Sequence, residues 1–169
     1  GQPLSVAATG GHARFAVCDW NNNGRKDLMV ADASGTVTLF SNRGSEAKPA
    51  LIAGVRLSAE GKPIQLGGRA SVLVCDWNND GTDTIGLYNP VSSRFYLKNG
   101  NSSGNADVTF GYGPANSGWI PIAGDWNGDG KDTIGLHNPF ASKFYQRNDN
   151  SSGNADVTFG YGPANSGWI

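Results

Sequence analysis

The stretch NSSGNADVTFGYGPANSGWI, residues 101–120, reappears letter for letter as residues 150–169. The copies begin at positions 101 and 150, so this part of the chain repeats with an offset of 49 residues. Self-similarity at about 40 to 50 residues is typical of β-propellers and of solenoids. An identity of this length indicates recent duplication or deliberate construction. The sequence therefore predicts a repeat architecture.

Each repeat contains four short segments rich in aromatic and β-branched residues, separated by Asn, Asp, Gly, Pro and Ser. Four strands per unit is the number in one propeller blade. No segment combines helical periodicity with a cap, and Gly interrupts nearly every window. We therefore predict an all-β chain of three blades, each with four antiparallel strands. The blades are expected at about residues 13–58, 70–113 and 119–162, the first being divergent, with extra residues near 58–68.

Three blades do not close a ring, because propellers typically have about four to eight blades and an open blade exposes apolar faces and sheet edges. We therefore predict a homo-oligomer, most simply a dimer with six blades in total. The terminal segments, 1–12 and 163–169, are expected to close the ring or to swap between chains. The alternatives are a fragment of a larger propeller and a compact sheet that is not a propeller.

The composition narrows the class of protein. Of the 169 residues, 38% are apolar and 16% charged, which is typical of a soluble globular domain. A net charge of −1 argues against nucleic-acid binding, since no basic stripe is available to neutralise phosphates. No apolar run is long enough for a membrane span, and the start lacks the regions of a signal peptide. We expect a soluble, already mature chain.

Each repeat also carries an acidic loop: Asp19-Trp-Asn-Asn-Asn-Gly24, Asp76-Trp-Asn-Asn-Asp-Gly81 and Asp125-Trp-Asn-Gly-Asp-Gly130. Oxygen-bearing side chains at the first, third and fifth positions, followed by Gly, are what Ca²⁺ requires of a tight loop. Closely spaced carboxylates repel one another unless a cation or hydrogen-bond donors lie between them. Eight of the 14 acidic residues lie in these loops: Asp19, Asp27, Asp76, Asp80, Asp83, Asp125, Asp129 and Asp132.

The loops fall between the first and second predicted strands of each unit. This placement resembles the calcium loops of FG-GAP and VCBS repeats, the units of integrin-like β-propellers, and the resemblance covers the chain from about Ala13 onward. It implies a seven-bladed or similar propeller, outside the cell, in which each loop binds one Ca²⁺. In the first loop the resemblance implies, as ligands, the side chains of Asp19, Asn21, Asn23 and Asp27 and the Arg25 carbonyl. Because Asn23 replaces the usual Asp, we expect weaker binding there.

The second and third loops depart from this pattern, because Thr84 and Thr133 stand where the first loop has Asp27. Either Asp83 and Asp132 reach the ion, or a Thr hydroxyl or water completes the site. A third interpretation needs no metal, since Asn, Asp and Gly also favour tight hairpin turns. The candidate ligands are Asp76, Asn78, Asp80, Thr82, Asp83 and Thr84 in the second loop, and Asp125, Asn127, Asp129, Lys131, Asp132 and Thr133 in the third.

Several other residues recur at equivalent positions. Cys18 and Cys75 each precede the first Asp of a loop, which predicts two buried thiols rather than a disulfide. The Trp at the second loop position is expected to pack between neighbouring blades. Four further aromatic residues flank the connection between blades, where they either stack on a sugar or pack between blades: Tyr112, Trp119, Tyr161 and Trp168.

The sequence shows no catalytic constellation: His12 and His137 are isolated, and no nucleophile-elbow or phosphate-binding motif is present. We therefore predict a calcium-binding, non-enzymatic propeller that serves as a scaffold or adhesion module outside the cell. The alternatives are a carbohydrate-binding propeller lectin, with glycans as partners, and an ancillary domain of a secreted polysaccharide-active enzyme.

Overall fold

The computed structural model describes residues 13–59, 62–65, 71–102 and 104–165. Every regular element among these residues is a β-strand, and none is a helix long and apolar enough to span a membrane. The strands are β1 (Arg14–Cys18), β2 (Asp27–Ala31), β3 (Val37–Phe40), β4 (Val55–Arg56), β5 (Ser58–Ala59), β6 (Lys62–Pro63), β7 (Ser71–Cys75), β8 (Thr84–Asn89), β9 (Arg94–Leu97), β10 (Val108–Gly111), β11 (Ile120–Gly124), β12 (Thr133–Asn138), β13 (Lys143–Gln146) and β14 (Val157–Gly160).

The strands form three four-stranded antiparallel sheets, each with its strands in chain order. The first sheet is β1–β4, the second β7–β10 and the third β11–β14. The prediction of an all-β chain with three units of four antiparallel strands is thereby confirmed. The extra residues after the first unit include a small hairpin of β5 and β6. The predicted terminal segment 1–12, and residues 166–169 of the predicted segment 163–169, lie outside the described residues.

The three sheets follow one another face to face, with their first strands adjacent. Strand β7 contacts β1 on one side and β11 on the other. The register at the end of each first strand is the same, because Cys18 pairs with Asp27, Cys75 with Thr84, and Gly124 with Thr133. The acidic loops therefore leave the three sheets at equivalent points.

Two apolar cores fill the spaces between sheets. The core between the first and second sheets includes Met29, Val37 and Val72, and that between the second and third includes Phe95 and Leu136. Each fully buried side chain of this size contributes about 1.5–3 kcal/mol relative to an exposed one. Packing between sheets, rather than within one sheet, therefore holds the units together.

Two of the three Trp residues at the second loop position, Trp77 and Trp20, pack between sheets, as predicted, but to different extents. Trp77 is 2% exposed and donates its indole N–H to a main-chain carbonyl of β8. A Cβ on Gly86 would lie 2.6 Å from the Trp77 ring, so the glycine makes room for the indole. In the first sheet Met29 occupies the position of Gly86 and is itself fully buried. Trp20 is accordingly only half-buried at the edge of the core.

Candidate metal-binding loops

The three acidic loops share one backbone conformation. The fourth position has a positive φ in each loop: 53° at Asn22, 58° at Asn79 and 77° at Gly128. The sixth position is always a glycine with a positive φ, for example 84° at Gly81. Asn and Gly tolerate this left-handed region better than other residues. The repeated letters therefore reflect a repeated turn that directs the first, third and fifth side chains inward.

The first-position carboxylate organises each loop by accepting main-chain N–H groups. Asp76 accepts the Asp80 N–H at Oδ1, 3.1 Å, and the Gly81 N–H at Oδ2, 2.7 Å. Asp19 and Asp125 accept the corresponding N–H groups of their own loops. Each oxygen of Asp76 retains a second lone pair, since a carboxylate offers about four acceptor sites.

The fifth-position carboxylate lies beside the third-position amide in the second and third loops. Asp80 accepts the Asn78 amide N–H at Oδ2, 2.8 Å, and the main-chain N–H of Thr82 at Oδ1, 2.9 Å. Asp129 makes the equivalent contacts, since it accepts the Asn127 amide N–H and the main-chain N–H of Lys131. The amide of Asn78 and then the main-chain N–H lower the pKa of Asp80. For Asp129 the main-chain bond is the larger cause of its lowered pKa. Both groups are therefore ionised at neutral pH.

The first loop has a different internal arrangement. Asn23 accepts the main-chain N–H of Arg25 at 2.9 Å, so it takes the place of the fifth-position carboxylate without its charge. Asn21 donates its amide to Asp27 over 3.3 Å. Asp27 is only 1% exposed, and its other oxygen accepts the Asn42 N–H at 2.7 Å. The ninth-position carboxylate thus ties β2 to the residues that follow β3.

Thr84 and Thr133 connect the second strand to the residues that follow the third strand in the other two sheets. The Thr84 hydroxyl donates to the Lys98 carbonyl at 2.6 Å, and the Thr133 hydroxyl to the Arg147 carbonyl at 2.7 Å. Both side chains are buried. The ninth position therefore supports the strands in every unit, by a carboxylate in one and by a hydroxyl in two.

The eighth-position carboxylates face the preceding loop rather than their own. Asp132 accepts the main-chain N–H of Asp76 at 3.1 Å, across the boundary between sheets. Asp83 lies 3.9 Å from the Lys26 ammonium of the first loop. Burial, followed by the charges of Asp83 and Asp76, raises the pKa of Asp132, and the hydrogen bond from Asp76 opposes this. Of the two alternatives for completing the ion site, this arrangement favours the one without Asp83 and Asp132.

The oxygen donors of the second and third loops fit a hard cation that is bound with modest affinity. Within residues 13–59, 62–65, 71–102 and 104–165, no three His, Cys, Asp or Glu side chains are grouped so as to hold a metal ion. Each of these loops instead offers two carboxylates, an Asn amide and the carbonyl of the seventh residue. Turning the Asn78 amide would direct its oxygen, rather than its nitrogen, toward Asp80. The result is the all-oxygen donor set that Ca²⁺ prefers.

Two supporting residues were not among the sequence predictions of the site. Asn101 donates its amide to the Asp83 carbonyl at 3.0 Å, and Asn150 donates to the Asp132 carbonyl at the same distance. Asn150 also donates to the Trp77 carbonyl of the neighbouring sheet at 3.4 Å. Each is the first residue of one of the two identical 20-residue stretches. This equivalent position is the feature of the sequence from which a shared role could have been predicted. They fix the ends of the acidic loops.

The aromatic residues proposed for sugar binding have different environments. Tyr112 is 6% exposed within the second core, and burial raises its pKa to about 12. The half-buried Trp119 ring stacks on Tyr145, with centroids 4.6 Å apart. Tyr161 is 75% exposed, and Trp168 lies outside the described residues. The structure therefore places Tyr112 in the packing between sheets rather than on a surface.

A cleft of about 380 Å³ opens between the first and second sheets. It lies where the half-buried Trp20 leaves the core incompletely filled. Its volume falls in the range of about 300–1,000 Å³ typical of small-molecule sites. The lining includes the aromatic residues Trp20 and Tyr96, the apolar residues Leu57, Ile64, Ile85 and Leu87, and the polar residues Gln65, Lys98, Asn101 and Ser102.

Comparison with known proteins bears on the same loops. Residues 19–85 match the family model described as an FG-GAP-like repeat. The match starts at the first residue of the first acidic loop and extends past the second, into β8. The predicted resemblance to FG-GAP-type repeats is confirmed for this stretch. No curated protein and no solved structure matched the chain.

Proposed function

We propose that the chain is a calcium-binding, non-enzymatic module of the β-propeller type, which serves as a rigid scaffold or adhesion unit. The observation that supports this proposal is the common conformation of the three loops. In each loop the first-position carboxylate holds the turn. In the second and third loops the third-position amide also bonds the fifth-position carboxylate. The FG-GAP-like repeat, a type that is generally a non-enzymatic module, covers the first two loops.

The second and third loops are the stronger sites in this proposal. Their ligands are the side chains of Asp76, Asn78 and Asp80 with the Thr82 carbonyl, and those of Asp125, Asn127 and Asp129 with the Lys131 carbonyl. The first loop is weaker, because its fifth position is the neutral Asn23 rather than a carboxylate. Extracellular calcium modules have Kd values of about 10⁻⁴–10⁻³ M, and we expect the second and third loops to fall in this range. We accordingly place the module outside the cell.

A bound cation would act on the fold through the junctions between sheets. It would neutralise the two carboxylates of a loop whose first residue, Asp76, is hydrogen-bonded to Asp132 of the next sheet. Stiffening the second loop therefore also stiffens its junction with the third. At a calcium concentration one hundred times Kd, the stabilisation is about 2.7 kcal/mol per site by mass action.

Thermal unfolding after EDTA treatment, followed by titration with calcium, tests this proposal. We expect the wild-type Tm to rise at millimolar Ca²⁺ and to fall again with excess EDTA. Asp80→Asn and Asp129→Asn should each reduce the rise, and the double variant should remove most of it. Asp149→Asn is the matched control, because this exposed carboxylate lies outside the loops. A wild-type Tm that calcium leaves unchanged, or an equal rise in the double variant, would overturn the proposal.

The cleft favours a carbohydrate-binding propeller as the second candidate function. Aromatic rings next to amide, hydroxyl and ammonium groups are suited to stacking on a sugar and hydrogen-bonding its hydroxyls. A glycan array separates the two candidate locations, which are the cleft and the connection between blades. Binding lost in Tyr96→Ala but kept in Tyr161→Ala assigns the sugar to the cleft, and the reverse assigns it to the connection between blades. An array on which the wild type binds nothing contradicts the carbohydrate function.

A further inference from the structure

Identical stretches of this chain have different exposures in the second and third sheets. Phe110 is 8% exposed, and its letter-for-letter counterpart Phe159 is 43% exposed. Tyr112 is 6% exposed, and its counterpart Tyr161 is 75% exposed. The local sequence is the same, so the neighbours cause the difference. The second sheet is covered by the third, whereas no described residue forms a sheet over the third.

The uncovered surface of the third sheet, which we call the front face, includes Ile122, His137, Phe144, Val157 and Phe159. The strand register places these side chains on one side of the sheet. The rings of His137 and Phe144 stack with centroids 4.4 Å apart, and those of Phe144 and Phe159 at 5.1 Å. The front face is therefore an ordered aromatic surface. Its counterparts in the second sheet, Leu73, Tyr88, Phe95, Val108 and Phe110, form the core against the third sheet.

The first sheet has the opposite uncovered surface, which we call the back face. It includes Phe15 and Val17 of β1, which are 73% and 57% exposed. Their counterparts in the second sheet are Val72, which is 3% exposed, and Val74; both pack against the first sheet. The back face thus has the apolar character of the surface that already covers a front face twice within the chain.

We propose that the front face of one chain packs on the back face of a second copy, and that the second copy returns the same contact, closing a six-bladed ring. The new junction repeats the two that exist inside the chain, so it is continuous with an interface already formed. A dimer is the assembly that fits, because six is the one multiple of three within the usual range of about four to eight blades. The contact is head-to-tail and closes on itself after two chains.

The charges at the loops agree with this junction. Lys26 occupies the eighth position of the first loop, where the other two loops have Asp83 and Asp132. At the new junction Lys26 would adjoin the third loop of the partner, which carries Asp125, Asp129 and Asp132. Within the chain, Lys26 already lies 3.9 Å from Asp83 of the following loop. The junction between chains would therefore bring a cation, rather than a further carboxylate, to a loop that already carries three carboxylates.

Light scattering coupled to size-exclusion chromatography tests the proposal at micromolar concentration, in EDTA and in calcium. We expect twice the chain mass of 17.7 kDa for the wild type. Phe159→Asp places a charge in the front face, and Phe15→Asp places one in the back face. Either substitution disrupts both junctions of a dimer of identical chains, so each variant alone should be a monomer with half the mass of the wild type. Neither residue is buried in a single chain, since Phe15 is 73% and Phe159 43% exposed, so the variants should keep the β-sheet circular dichroism. An equimolar mixture of the two should regain a dimer, because one junction is then intact on both sides.

The matched control is Phe140→Asp. Phe140 is 60% exposed, but its counterpart Val91 remains 54% exposed although the second sheet is covered on both sides. The position therefore lies outside the junctions, and the variant should keep the wild-type mass. A monomeric wild type, a continuous series of larger species, or a dimer that survives both Asp substitutions would overturn the proposal. The calcium proposal fails independently, since it rests on the Tm response and not on the mass.

Discussion

Asp132 and Asp76 join neighbouring sheets through two hydrogen bonds. The Asp132 carboxylate accepts the Asp76 N–H at 3.1 Å, and the Asp132 N–H donates to the Asp76 carbonyl at 3.0 Å. Asp76 is also the residue whose own carboxylate holds the second acidic loop. The third sheet thus holds the first residue of the second loop, and the loops and the stacking of sheets form one connected network.

Replacing Asp132 tests this connection in calcium-free buffer. Asp132→Ala leaves the partly buried Asp76 N–H without its acceptor, which should lower the free energy of unfolding by about 1–3 kcal/mol. Asp132→Asn keeps an oxygen acceptor and removes a carboxylate whose pKa is raised mainly by burial. We expect the Asn variant to be close to wild type at pH 7. Equal destabilisation of the two variants in urea unfolding would show that the charge, and not the acceptor, matters.

Gly86→Ala should disturb the core between the second and third sheets. The new Cβ would lie 2.6 Å from the Trp77 ring and 2.9 Å from a Leu97 methyl group, and both side chains are buried. Overpacking of this kind costs about 1–3 kcal/mol. Gly100→Ala is the control, because nothing lies within 4 Å of its added Cβ. Chemical denaturation of both variants gives the comparison, and a Gly86→Ala variant as stable as the control would contradict this account of Trp77.

The second strand of each sheet, which directly follows the acidic loop, was predictable from sequence. The fourth strand was less predictable. The strands at 84–89 and 133–138 are bounded on both sides by turn-forming residues, as expected of segments separated by Asn, Asp, Gly, Pro and Ser. In the first unit the fourth strand is short, because β4 covers only Val55–Arg56. The Asn42 side chain accepts the N–H groups of Gly44 and Ala50, and so holds the residues before β4 in an irregular turn.

The direction of the loop side chains depended on the neighbouring sheet. Spacing alone predicted the turn and its first, third and fifth positions, because these interact within one loop. Spacing left open where Asp132 points, since its partner Asp76 is 56 residues away in the chain. In the same way, no local pattern separates the buried Tyr112 from the exposed Tyr161, whose surrounding letters are identical.

The two cysteines should react slowly with thiol reagents in the folded protein. They are free, as predicted, and burial followed by the charge of Asp27 raises the pKa of Cys18 to about 12. Burial and then Asp132 raise the pKa of Cys75 as well. Because the thiolate is the reactive form, modification at pH 8 should be far slower in native protein than in guanidinium chloride. Mass spectrometry after timed alkylation should find two modified thiols only in denaturant, and rapid modification of native Cys18 would contradict the buried position.

His137 should make the fold less stable in mild acid. Burial lowers its pKa below the ordinary value of about 6.5, so at pH values just below 7 the unfolded chain binds more protons at this position than the folded chain. The free energy of unfolding therefore falls as the pH drops through 6.5 toward the lower folded pKa, and it is unaffected by this group above about pH 7.5. His137→Tyr introduces the residue found at the equivalent position, Tyr88, which does not titrate in this window. The Tm difference between variant and wild type, measured from pH 5 to 8 at one protein concentration, should grow toward the acid side. Parallel curves over that range would show that the His137 ring stacked on Phe144 gains its proton as readily in the folded chain as in the unfolded one.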